Sequence, residues 1–179
     1  WIFASAETPV SDIRELDGMR IAAGDIGSGT RVLLSTLFEL NGVENAIWVE
    51  EAGSDAAAAL RTGNADIAAF MTSPDPAYIR DLVADPGIIV MQIERGPAYV
   101  RLLPYLSIVT LHEGVLDPAA DIPAQDIPLV AAAAAALSSF LGRESRRSHL
   151  DPGHTGPHLA VPLVQIRPAC LFVANSQAH

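Results

Sequence analysis

Along the first hundred residues, short apolar runs alternate with stretches whose apolar positions recur every three or four residues. "MRIAAG" (19–24) is brief and almost wholly apolar, as a strand covered on both faces should be. In "TRVLLSTLFEL" (30–40), Leu33, Leu37 and Leu40 fall on one helical stripe, which Leu34 and Phe38 widen, and Asn41-Gly42 ends it. "AIWVEE" reads as a second strand. "GSDAAAALRTG" reads as a helix with Ser54 or Asp55 at its N-cap and Gly63 as its stop. "ADIAAFMT" gives a third strand, and "SPDPAYIRDLVADPG" a third helix with Pro74 or Pro76 in its first turn. "IIVMQIE" is a fourth strand, followed by the short helical "GPAYVRLLPYL".

This rhythm predicts an α/β fold, a parallel-dominated sheet with right-handed crossovers and helices on both faces. From Ser107 to Pro128 the pattern changes to extended segments broken by Pro118, Pro123 and Pro128. That describes a chain leaving one lobe for another, with "IPLVAAAAAAL" as the strand it reaches. The expected organisation is an inter-lobe strand and linker over 1–19, an α/β ligand-binding lobe over 20–110, a crossover over 111–137 and an atypical tail over 138–179.

Charge sharpens the last boundary. Residues 1–137 carry 19 acidic and 7 basic side chains, net −12, whereas the last 42 carry 2 acidic and 4 basic, net +2, with four of the five histidines. A reading-frame error produces so abrupt a change of grammar, so the tail is not expected to belong to the evolved domain. The overall charge of −10 and the lack of any basic cluster argue against a nucleic-acid partner. All 11 basic residues are arginines, which removes a P-loop lysine, a Schiff-base lysine and a lysine general base. Cys170 stands alone, without a disulfide or thiolate metal site, and Gly156 and Pro157 break the metal-like spacing of His154 and His158. The richest apolar run, "IPLVAAAAAALSSFLG", has 16 residues, short of the ~20 that span a membrane, and reads as core. No charged-then-apolar export segment opens the chain, so such a segment is expected to have been removed or to lie upstream.

The candidate chemistry sits at "GDIGSGTR" (24–31), where the first strand of this rhythm turns into its helix. Amides at a helix start lack partners within the helix, and the helix dipole places partial positive charge there. Gly27 and Gly29 admit a ligand close to the backbone, Ser28 and Thr30 add hydroxyls, and Arg31 adds a cation if it turns toward the mouth. The dipole contributes roughly 0.3–2 kcal/mol to a bound anion, and each charged hydrogen bond about 1.5–3 kcal/mol. Micromolar affinity needs ~8 kcal/mol, so a second surface must contribute.

Several readings of the corner stay open at this point. It can be simply a tight turn capped by Ser28 or Thr30. A dinucleotide fold needs a small residue where Val32 stands, although Glu50 or Glu51 sits about 20 residues on, where a ribose-binding acid belongs. A hydrolase elbow needs glycines where Ile26 and Thr30 stand. His112, the only histidine before the tail, reads as a surface residue, and Asp55, Asp66 and Asp75 are too scattered for an acid–base pair. Arg95 reads as a solvated arginine or one reaching an acidic ligand, and Tyr78, Tyr99 and Tyr105 as half-buried core. Ser54 and Asp55 lie beside an Ala face that packs on a sheet, in a loop that also faces the strands' carboxyl ends. No catalytic residue, cofactor or metal is assigned.

The blocks "ELDGMRIAAGDIGSGTRVLLSTLFELNGV", "AAAALRTGNADIAAFMT" and "YIRDLV", in that order, resemble the TAXI-type solute receptors of tripartite TRAP transporters. "ERGPAYVRLLPYLSIVTLHEGV" and "DIPAQDIPLVA" extend the likeness over roughly residues 1–137. The resemblance implies a lobe of a type 2 periplasmic binding protein. Such receptors close two lobes on a small solute, often an acidic amino acid or other carboxylate, and hand it to a membrane permease. It implies a periplasmic location and places the ligand loop at Gly27, Ser28, Gly29, Thr30 and Arg31 and the second cleft segment at Met71, Thr72 and Ser73; the position of Ser54 at the strands' carboxyl ends adds it as a further candidate contact. Members of that family carry about one lobe's worth of residues before "WIFASAE", and here the odd tail replaces the return into that lobe. The chain is therefore expected to hold one lobe and part of another. An ABC-importer receptor or a regulator's ligand-binding domain of the same fold, and less favourably an NAD-dependent oxidoreductase, are the alternatives.

Overall fold

The computed structural model describes residues 1–133. The chain opens with strand β1 (Ile2–Ser5), a 3-10 turn (Ile13–Leu16) and strand β2 (Arg20–Ala22), and then alternates α1 (Gly29–Asn41), β3 (Ile47–Val49), α2 (Gly53–Arg61), β4 (Ile67–Ala69), α3 (Ala77–Val83), β5 (Ile88–Val90) and α4 (Gly96–Leu102). Strands β6 (Leu106–Leu111) and β7 (Ile127–Ala132) follow. Residues 134–137, the tail over 138–179, Cys170, His154 and His158 lie outside the described residues.

The five short strands form one mixed sheet in the order β3-β2-β4-β1-β5. Strands β3, β2 and β4 run parallel, as predicted, and β1 is antiparallel to both its neighbours, β4 and β5. The sheet is thus parallel-dominated, and the opening segment is an internal strand of it. Alternation within each strand divides the core into two layers. Ile2, Ala4, Ile21, Ile67 and Ala69 face α1 and the 3-10 turn. Phe3, Ala22 and Ala68 face α2 and α3, which contribute Ala56, Ala57, Leu60, Ile79 and Leu82. Small residues on the second face let the Ala-rich α2 lie close to the sheet, so the Ala face of that helix packs as read from the sequence.

Helix α1 begins and ends as its sequence predicts. Ser28 is the N-cap and accepts the Arg31 amide, while Gly42 ends the helix at φ +69°, a left-handed conformation suited to glycine. Its buried stripe is Leu34, Leu37 and Phe38; Leu40, expected on the stripe, is 45% exposed. The stripe is centred one residue away from the simple 33-37-40 spacing because Phe38 packs on Trp48, with ring centroids 5.5 Å apart. Helix α2 differs at its start: its N-cap is Ala52, with no side-chain cap, so neither Ser54 nor Asp55 caps it. Gly53 enters at φ +54°, which places Ser54 already inside the first turn. Pro76 is the N-cap of α3 and not a first-turn residue, and Pro74 precedes the helix.

Strands β6 and β7 form an antiparallel ribbon, in register from Leu106 opposite Ala132 to Leu111 opposite Ile127. The strand expected in "IPLVAAAAAAL" is β7. Gly96, buried at the start of α4, lies under this ribbon, where an added Cβ would come within 3.5 Å of Val130.

Candidate functional site

The carboxyl ends of β2 and β4 carry the two segments singled out in the sequence. After β2 the chain turns through Gly24 and Gly27, at φ +81° and +87°, so both positions require glycine-like backbone freedom. At Gly24 an added Cβ would also press to 3.1 Å from the Ser28 hydroxyl. That hydroxyl is fully engaged: it donates to the Ala23 carbonyl at 2.9 Å and accepts the Arg31 amide at 3.3 Å. Among the described residues, the amides of Gly29 and Thr30 have no hydrogen-bond partner. They are the orphan donors expected at a helix start.

Thr30 joins the two segments. Its Oγ1 accepts the Met71 amide at 3.1 Å, tying the first turn of α1 to the end of β4. Just beyond, the Trp1 indole N–H donates to the Thr72 carbonyl at 2.9 Å. Thr30, Met71, Thr72 and Ser73 line one end of a cavity of about 760 Å³, a size suited to a small molecule. The other walls are apolar: Leu33, Leu34 and Leu37 of α1 on one side, and Val109, Leu129 and Val130 of the ribbon on the other. No charged side chain lines it among the described residues.

The remaining predicted site residues lie elsewhere. Gly27, Ser28 and Gly29 sit at the rim and do not line the cavity. Arg31 turns away from the mouth; its guanidinium lies 4.8 Å from the centroid of the Trp48 ring and 3.5 Å from the Glu50 carboxylate. The cationic arm expected at the corner is therefore held on the α1–β3 side, and Glu50 is engaged with it. Ser54 is exposed on α2, also away from the cavity. Arg95 is the N-cap of α4 and pairs at 3.5 Å with Asp12. Hydrogen bonds from the Arg14 side chain and amide lower the Asp12 carboxyl to about 2. His112 is exposed and lies 3.3 Å from Asp126.

Asp66 is a structural carboxylate. It receives the Arg20 amide at 2.8 Å and the guanidinium at 3.1 and 2.6 Å, and the Arg20 side-chain bond holds its carboxyl below the usual range. Tyr99 is buried and donates to Asn41 Oδ1 at 2.9 Å, while burial pushes the Tyr105 phenol upward. Among the described residues, no group of three or more His, Cys, Asp or Glu side chains is placed to hold a metal ion.

Reasoning from the sequence missed the ribbon's part in the site. Thr110, Ala131 and Ala132 join the lining, as does Ile93 from the end of the fourth apolar run. The available signal was the pair of extended runs "LSIVTL" and "IPLVAA", which form the ribbon.

The chain belongs to the NMT1-like family, whose model matches residues 1–138. That stretch is almost the one on which the sequence resembles TAXI-type receptors, although the match does not name that subdivision. No curated protein matches the sequence. Among solved structures, the chain is similar to the periplasmic aliphatic sulphonate binding protein SsuA from Escherichia coli, at 17% identity and a TM-score of 0.45, over 82% of this chain and 40% of that one. The chain thus spans less than half the length of that receptor.

Proposed function

We propose, from membership of the NMT1-like family and the geometry at the ends of β2 and β4, that the chain forms one wall of a solute-capture cleft and performs no chemistry. Exported to the periplasm, it would hold a small carboxylate between two lobes and pass it to membrane permease subunits. The capture step is the same whichever importer receives the solute; the tripartite TRAP type is assigned on the sequence resemblance alone.

The observation that carries this reading is the Thr30–Met71 bond at the mouth of the cavity, beside the two unpartnered amides. Open parallel sheets take ligands beyond the carboxyl ends of their strands, where helix N-termini offer donors to anions. Two charged hydrogen bonds plus the dipole supply about 3–8 kcal/mol, which corresponds to dissociation constants from millimolar to micromolar. Closure of a second lobe would add the rest through contacts made only in the closed state.

Titration calorimetry of the chain with glutamate, glutamine, succinate and butyrate tests the reading. Saturable binding of at least one carboxylate in that range is expected, weakened by Thr30→Ala. Absence of saturable binding by any carboxylate would overturn it.

A further inference from the structure

Resting on that reading, we infer that the solute is amphipathic, a single carboxylate on an apolar chain or ring, and not an acid with a second carboxylate. The cavity is chemically polarised. Its polar groups, the Thr30, Thr72 and Ser73 hydroxyls and the Thr30 backbone, gather at the α1–β4 end. Away from that end it is walled by Leu33, Leu37, Ile93 and Leu129, with Thr110 on the ribbon the one further hydroxyl among the described residues.

A second carboxylate in that space would lose its hydration and, among the described residues, meet no charged side chain. Arg31, the nearest cation in sequence, is committed to Trp48 and Glu50. Burying an unpaired carboxylate is far more costly than burying a methylene is favourable, so the walls select against glutamate and succinate. An aliphatic or aromatic body gains instead from every apolar atom it places against the leucines.

The test is a homologous series of straight-chain carboxylates, acetate through octanoate, titrated calorimetrically into the full chain beside glutamate and succinate. Affinity is expected to rise about fourfold per methylene, so roughly 200-fold from butyrate to octanoate, with glutamate and succinate weaker than hexanoate. Leu33→Ala should flatten the upper part of this series. Leu33 is half-buried, so its truncation leaves the fold in place. Thr72→Ala should instead weaken all members alike and keep the slope. Carboxylate binding without dependence on chain length, or glutamate binding as tightly as octanoate, overturns this assignment and leaves solute capture standing. No saturable binding by any member of either set overturns both.

Discussion

The two edges of the five-stranded sheet are built on opposite principles. Where the parallel strands begin, several carboxylates are closed on backbone amides and arginines. Arg20 is clamped by Asp66, Asp17 accepts the Glu44 and Asn45 amides at 3.0 and 2.8 Å, and Asp85 receives the Gly87 amide at 2.9 Å and Arg61 at 3.2 Å. Where the same strands end, the Gly29 and Thr30 amides have no partner among the described residues, and an apolar cavity opens beside them. These bonds fix the strand starts, and that fixed register holds the opposite edge in one geometry. A site needs unused valence, and beside the cavity the start of α1 supplies it.

The substitution with the largest effect removes the support common to both edges. Ile67 begins β4, the central strand, and is fully buried between β2 and β1. Ile67→Ala is expected to cost about 2–5 kcal/mol in urea or thermal unfolding. Carboxylate binding should fall only as the folded fraction falls. Binding lost from a fully folded Ile67→Ala protein would show that the two edges are coupled more tightly than the packing implies.

Asp66→Ala separates them. It opens the closed edge at a side chain that is 36% exposed, so solvent screening keeps the expected cost to about 1–2 kcal/mol. Solute affinity should be unchanged. The pH dependence follows from the same carboxylates. Asp66 is held below the usual range chiefly by the Arg20 side chain, Asp17 chiefly by the Asn45 amide and Asp85 chiefly by the Gly87 amide. Because their folded values are depressed, their stabilising contribution is fully present above the unfolded carboxylate value of about 4 and is lost as pH falls through the folded values. Melting temperature should therefore drop between about pH 5 and about pH 2, and Asp66→Ala should flatten that drop. An equally steep drop in the variant would assign the acid sensitivity to other groups.

Ser28→Ala has a smaller effect, because it touches the open edge only at its rim. Losing the cap of α1 and the bond to Ala23 should lower stability by about 1 kcal/mol. Affinity should also weaken a fewfold as the first turn of α1 frays, a change readable by calorimetry at a temperature where the variant is fully folded. An unchanged affinity would separate the amides from the solute.

Much of the fold was legible because local signals agreed with it. The α1 cap at Ser28, its stop at Gly42 and the alternation of short apolar runs with helices are properties of neighbouring residues. What was not legible depended on distant partners. β1 is antiparallel because it inserts between β4 and β5, which lie more than sixty residues downstream. The missing cap of α2 reflects the left-handed turn at Gly53, to which Ser54 and Asp55 give no clue. The site divided the same way: Thr30 and Met71 were picked out separately, and the structure supplies the bond that joins them. The cavity's far wall belongs to a ribbon whose pairing spans the loop from 112 to 126, and no spacing rule reaches across it.

Arg31 gives the smallest effect and the sharpest test. Beside four other candidate residues of the corner it reads as the anion's counter-charge, yet its guanidinium is packed over Trp48 and paired with Glu50. The stacked contact contributes about 0.5–1 kcal/mol, and an ion pair whose carboxylate side chain is 62% exposed adds about 0–1 kcal/mol. Arg31→Ala should therefore lower stability by about 1 kcal/mol and leave octanoate and butyrate affinities within twofold of the parent. Breaking the pair from the other side, with Glu50→Gln, would release the guanidinium without removing it. If Arg31→Ala is silent and Glu50→Gln tightens carboxylate binding, the arginine is a restrained cation kept out of the cleft. If Arg31→Ala alone weakens binding tenfold, the side chain swings into the mouth when an anion arrives, and the open edge carries a charge that its resting geometry conceals.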